Sequence, residues 1–171
     1  LAFSEQLAAL HSLTMELSLV DTLDDLCRAA VMRGRTMLGF DRLGIWLVDD
    51  DDPTFVRGVF GIDEHGSVRD ERSRRLPSDE HWTYIQDGNR ALVYDPDAVL
   101  MDDGQHIVGR GEAIMAAMWD GEKVIGQLSI DNLLSARHIG PYQREIAVLY
   151  ARTLGHLCTI KRAQAELHAR R

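Results

Sequence analysis

The sequence predicts an α+β fold: a central, mostly antiparallel sheet, with helices from both chain ends on one face and irregular loops with one short helix over the other. Three observations predict it. Apolar residues recur at helical spacing near both ends, two pairs of β-rich runs lie between them, and residues 62–111 are polar and irregular.

At the N-terminus Phe3, Leu7, Leu10, Thr14 and Leu17 step by fours and threes, which gives a first helix one apolar stripe. Asp21 and Thr22 then offer N-caps, and Thr22-Leu-Asp-Asp25 has the spacing of a capping box. The second helix carries Leu23, Leu26, Cys27, Ala30, Val31 and Leu38 on its buried face and stops at Gly39. Residues 42–49 read as a strand, Asp49 to Pro53 as a soluble turn, and 54–61 as the antiparallel partner. In the middle, 81–86 reads as a short helix capped by Ser78 or Asp79. Residues 91–94 form a short strand, and 95–111 are expected to be loop. Asp120-Gly121 separates the β-rich runs 113–119 and 124–134, with Glu122 and Lys123 lengthening the turn beyond two residues. Gly140-Pro141 then opens a closing helix that runs to about His168, some ~42 Å at 1.5 Å per residue.

Length and composition narrow the function. The 171 residues suit one domain with a sizeable core. A net charge of −8 disfavours nonspecific binding to nucleic acid or to anionic membranes. No apolar run approaches the ~20 residues of a membrane span, and no signal peptide is visible. Two cysteines, Cys27 and Cys158, do not make a disulfide framework, so a reducing, cytoplasmic setting is expected. The chain opens and closes inside helical patterns, which reads as a segment of a longer polypeptide.

Chemical motifs are sparse. There is no P-loop, dinucleotide-binding glycine turn, HExxH, paired CxxC or GxSxG elbow. The seven histidines are scattered without metal-ligand spacing, so neither a metal site nor catalytic residues are expected.

Four pieces in order carry a resemblance. They are the helix 23–38 with Gly39-Phe40-Asp41-Arg42, the strand Leu43-Gly-Ile-Trp-Leu-Val-Asp49, the run Gly126-Gln-Leu-Ser-Ile-Asp-Asn132, and the closing helix. Val59-Phe-Gly-Ile-Asp-Glu-His-Gly66 followed by Val68-Arg-Asp-Glu-Arg72 adds to it. Over roughly 22–163 the chain resembles GAF domains, the ligand-sensing modules of bacterial signalling proteins such as sensor histidine kinases and cyclic-di-GMP enzymes. The resemblance implies a non-enzymatic sensor of an unidentified small molecule that couples pocket occupancy to the packing of the flanking helices in a dimer; the alternatives are a ligand-free dimerisation or scaffold module of the same host and a GAF-fold reductase. It divides the chain into a linker or dimerisation helix (1–20), a sensor domain (21–163) and the start of a second linker helix (164–171). A covalent bilin is not expected, because both cysteines fall on framework helices. Haem is not expected either, with His81 and His106 the only reasonable axial candidates.

A GAF pocket lies between the sheet and the irregular middle. That placement makes Trp46, Phe60, Trp82, Ile85, Met115 and Met118 candidate apolar lining residues, and His81 and Ser129 candidate polar contacts. Each of the aromatic and methionine side chains has a competing role as core filler. Arg69, Arg72, Arg74 and Arg75 alternate with acids and are expected to be self-paired rather than an anion site. On the end helices Leu7, Leu10, Leu17, Tyr150, Leu157 and Ile160 fall at heptad-type positions and are candidates for a homodimer contact. An intramolecular pairing of the same two helices is the alternative, and both arrangements are compatible in a four-helix bundle.

Overall fold

The computed structural model describes residues 2–78, 91–102 and 104–170. Two helices, α1 (Phe3–Ser18) and α2 (Leu23–Leu38), lead into strands β1 (Arg42–Val48), β2 (Phe55–Ile62), β3 (Val68–Asp70) and β4 (Arg75–Pro77). Strands β5 (Leu92–Met101), β6 (Ile107–Trp119) and β7 (Val124–Asp131) precede the long helix α3 (Pro141–Ala169). The sheet order is β3-β2-β1-β7-β6-β5, β4 pairs with the other half of β2, and every pairing is antiparallel. The expected α+β architecture is therefore present.

Local chemistry sets the boundaries as the sequence predicts. Thr22 Oγ1 accepts a hydrogen bond from the Asp25 N–H at 3.1 Å and so caps α2, which ends at Gly39 in the left-handed region. In the β6–β7 turn the Asp120 carboxylate accepts the Glu122 and Lys123 N–H groups, each at 2.8 Å.

Strand alternation divides the core. Leu43, Ile45 and Leu47 of β1, Leu128 and Ile130 of β7, and Ile114 of β6 face the three helices. Between them, Trp46, Val48, Met115 and Ala117 point to the opposite face and join Val56, Leu76 and Val124 in a second, smaller cluster. Helix α3 lies unusually close to β6: a Cβ built on Gly155 would come 2.3 Å from the Trp119 carbonyl oxygen and 2.5 Å from its nitrogen. One turn earlier the buried Tyr150 hydroxyl donates to the Ala30 carbonyl at 2.6 Å and fixes α3 to α2.

Three expectations need correction. Residues 95–111 are not loop: β5 continues to Met101 and β6 begins at Ile107. Pro96 and the acids that read as loop lie on an edge strand, where a missing N–H is harmless. A bulge between Asp95 and Ala98 absorbs them, and Asp97 accepts Arg110 across the ladder at 3.0–3.1 Å. Asp49 is not a solvated turn residue; it is 4% exposed and accepts Arg75 Nε at 2.7 Å. On α1 the buried face is Gln6, Leu10, Leu13 and Leu17, so the stripe is turned from the predicted one and Leu7 is left 38% exposed.

Cys27 and Cys158 meet in the core with their sulfurs 4.0 Å apart, and neither is exposed. The contact with Cys158, together with burial, pushes the Cys27 thiol well above its ordinary range, so the reactive thiolate is disfavoured.

Two outcomes follow from this packing. Gly155→Ala should force α3 off β6 and lower stability by about 2–3 kcal/mol, read from urea midpoints; a change under ~0.5 kcal/mol would show that the close approach is dispensable. A thiol-reactive chromogenic disulfide at pH 8 should modify neither cysteine in the folded chain and both in guanidinium. Rapid labelling of the native protein would contradict the buried pair.

Candidate functional site

The sheet face opposite α1–α3 carries two adjoining clefts. The larger has a volume of about 370 Å³ and lies over β5, β6 and β7, where Val93, Ala98, Ala113, Met115 and Ser129 are among its lining residues. The smaller, about 120 Å³, lies over β1 beside the β3–β4 segment and includes Arg42, Trp46, Glu71 and Arg74. Met101, Ser129 and Asp131 line both.

Alternation explains the floor. Gly44 pairs with Ser129, and Ser129 pairs in turn with Met115, so these three residues share one face across β1, β7 and β6. One position further along, Ile130 and Ile114 turn to the helices. Ile114 and Ile130 nonetheless border the larger cleft, so its floor and the helix-side core share these residues.

The polar part of the floor centres on Arg42, which is 7% exposed. Its register partner is Asp131. Arg42 Nε donates to both Asp131 oxygens at 3.1 and 3.0 Å, and Nη2 donates to Oδ2 at 2.7 Å. Nη2 also reaches the Met101 carbonyl at 3.0 Å, which ties the end of β5 to β1. The remaining nitrogen, Nη1, is buried with no hydrogen-bond partner among the described residues.

The side wall is built from paired charges. Arg74 stacks over the Trp46 ring at 5.1 Å and donates to Glu71 at 2.9 Å. Glu71 is 6% exposed and occupies space over β2 that only a glycine leaves free: a Cβ on Gly61 would lie 1.8 Å from Glu71 Oε1. Arg69 donates to Glu64 at 2.9 Å, Arg75 to Asp49, and Arg72 to Asp70 and Asp24. The bonds from Arg72 hold the Asp70 carboxyl down to about 2. The four arginines are self-paired, as the alternation of charges predicts.

At the far end Glu112 accepts Tyr94 Oη, His138 Nδ1 at 2.8 Å and the Ile139 N–H at 3.3 Å, while Asn132 Nδ2 donates to its other oxygen at 3.1 Å. Burial works to raise the Glu112 carboxyl, but these bonds bring it below the ordinary glutamate value. Among the described residues no cluster of three or more histidine, cysteine or acidic side chains is placed to hold a metal ion. His106 is exposed and pairs with Asp102 at 3.3 Å. No helix among the described residues is long and apolar enough to cross a membrane.

The sequence-derived candidates separate into groups. Trp46, Met115 and Ser129 line the clefts. Phe60 lies in the main core under Arg72, and Met118 is fully buried in that core. His81, Trp82 and Ile85 lie outside the described residues. Of the helix candidates, Leu10, Leu17, Tyr150 and Leu157 are buried within this chain, while Leu7 and Ile160 are each 38% exposed. Arg42 and Asp131 are not among the sequence-derived pocket candidates; Asp131 with Asn132 reads there as the end of a strand and the cap of the following loop. Their signal was faint: a cation opening one apolar strand and an acid closing another.

Solved structures of low identity share this architecture. The GAF domain of a phosphoenolpyruvate-protein phosphotransferase from Coxiella burnetii is 15% identical with a TM-score of 0.76, over 97% of this chain and 99% of that one. This chain has the GAF fold. A methyl-accepting chemotaxis protein is similar at 14% identity and TM-score 0.69, over 89% of this chain and 98% of that one. The chromophore-binding domain of a bacteriophytochrome from R. palustris is similar at 15% identity and TM-score 0.70, over 95% of this chain and 62% of that one. No protein-family model and no curated protein matches the sequence. Within the GAF fold of this chain, the clefts occupy the sheet face that the helices leave open.

The buried ion pair makes a sharp energetic prediction. Asp131→Leu alone strands the Arg42 charge and should cost about 3–5 kcal/mol. Adding Arg42→Met should recover most of that loss in urea unfolding, because both charges are then gone. Additive losses in the double variant would disprove the coupling.

Proposed function

We propose that this chain is a regulatory, non-enzymatic GAF domain that binds a small molecule in the clefts of the sheet face opposite α1–α3 and reports occupancy through α1 and α3. The observation that carries the reading is the shared floor. Met115 and Ser129 line the larger cleft from β6 and β7, and Ile114 and Ile130, one residue away, border it and also pack in the helix-facing core. A ligand that reshapes the floor changes the surface on which α3 rests. Only unequal affinity for two helix packings shifts an output, and a coupling of ~1–3 kcal/mol is typical. The larger cleft, at about 370 Å³, falls in the range of small-molecule sites.

Two further points support the reading. Similar structures include the GAF domain of a phosphotransferase, a chemotaxis protein and a chromophore-binding domain. The cysteines lie in the helix-side core rather than at the clefts, which speaks against a thiol-based reductase. In this proposal the domain works in the cytoplasm within a longer signalling protein, such as a sensor kinase or a cyclic-di-GMP enzyme. It pairs as a homodimer through the outer faces of α1 and α3. Leu7, Met15, Ile160 and Leu167 remain exposed there for that contact, at 38%, 58%, 38% and 59%.

Native mass spectrometry of the purified chain tests both parts. The expected result is a dimer carrying an added small mass, which Met115→Trp removes by filling the larger cleft. Leu7→Asp with Ile160→Asp should return a monomer. A dimer with no added mass, unaltered by either change, would favour a ligand-free scaffold instead.

A further inference from the structure

The two cysteines of the chain lie 131 positions apart and meet sulfur to sulfur at 4.0 Å, both without exposed surface. Cys27 belongs to α2 and Cys158 to α3, and the seam between these helices is tight. A Cβ built on Gly34 would stand 3.1 Å from the Tyr150 ring, and the Tyr150 hydroxyl bonds the Ala30 carbonyl. The sulfurs share that seam, one turn from Ala30 along α2 and two turns from Tyr150 along α3. Alanine or valine would meet a packing role alone. Two sulfurs in contact add a chemistry that neither has.

A disulfide holds its sulfurs about 2.05 Å apart, so joining the pair takes a shift of about 2 Å, shared between the two Cα–Cβ rotations and a small approach of α3 to α2. The contact with Cys158, then burial, keep the proton on Cys27; Asp24 adds to this, and the Arg162 charge one turn beyond Cys158 opposes it. Cys27 is therefore the thiol partner, and the first attack falls to Cys158. Hydrogen peroxide is uncharged and has two non-hydrogen atoms, so local openings admit it where a bulky aromatic disulfide is excluded. Burial makes the reaction slow, so the pair registers sustained oxidant rather than a brief pulse.

We propose that Cys27 and Cys158 form a reversible oxidation site, closed to a disulfide by hydrogen peroxide, that staples α3 to α2. The Cys158 thiolate attacks one peroxide oxygen; an S–O bond forms, the O–O bond breaks, and the departing hydroxide takes up a proton as water. The Cys27 sulfur then displaces the sulfenic hydroxyl, so that S–S forms, S–O breaks and the second water leaves with the Cys27 proton. Two thiols give up two electrons, and peroxide accepts them. Residues 163–170 beyond the pair are exposed, so the staple fixes α3 in the last buried stretch before its free end. The site does not depend on any ligand in the clefts.

Thiol counting tests it. The native chain is treated with hydrogen peroxide, unfolded in guanidinium, alkylated with iodoacetamide and digested. Neither cysteine should carry the label, the Cys27 and Cys158 peptides should appear joined, and dithiothreitol before alkylation should restore both labels. The oxidised sample should melt about 5–10 °C above the same sample after reduction, because the bond closes a loop across 131 positions. Cys27→Ala and Cys158→Ala should each abolish that difference, and a rise that survives either change would overturn the proposal. So would oxygen added to each sulfur without a joined peptide, a disulfide between two chains, or no reaction short of unfolding. The rate should barely change in urea below the unfolding transition. A rate that climbs with urea in step with global unfolding would assign the bond to the unfolded chain and remove the site from the native fold.

Discussion

The Arg42–Asp131 pair is the contact on which the open half of the molecule depends. The two residues stand opposite each other in the β1–β7 ladder, so the bond that neutralises the charge also locks the register at the centre of the sheet. A slip of one residue would send Arg42 into the helix-side core and Leu43 onto the open face. The same guanidinium holds the Met101 carbonyl, so the end of the long β5–β6 hairpin is anchored to the sheet's middle strand. Losing Asp131 alone would therefore strand a buried charge at the point that ties the β5–β6 hairpin to β1.

From that anchor the division of labour in the sheet is a matter of alternation. Helix-side positions carry aliphatic residues packed to full burial, while cleft-side positions carry Gly44, Trp46, Ser129, Met115 and the ion pair. Among the described residues no second helix layer fills that face, and its lining is not uniformly apolar. Glu71 and Arg74 wall it with a closed pair instead of a hydrophobic plug.

How much of this was legible depends on how local each signal is. The α2 cap at Thr22, the stop at Gly39 and the Asp120-Gly121 turn are decided by a few neighbouring residues, and they stand where the sequence places them. The β5 strand was missed because Pro96, Asp95 and Asp97 carry loop chemistry, and only the edge position makes them tolerable. Leu13 was missed because the α1 stripe was drawn through Leu7, and helix rotation is set by contacts with α2 and α3 rather than by spacing alone. Phe60 and Met118 read equally well as lining or core; the bulge in β1–β2 and the register of β6 decide which face each one takes. The Arg42–Asp131 pair joins residues 89 positions apart, and no local pattern announces such a bond.

The absence of a side chain at Gly155 has a mechanical side. With α3 backbone resting directly on the Trp119 peptide and Leu154, Leu157 and Cys158 buried around it, that point cannot slide without collision. The helix continues from there to Ala169, about 21 Å at 1.5 Å per residue. By lever geometry alone, a tilt of roughly 5° about that point would carry the far end by about 2 Å.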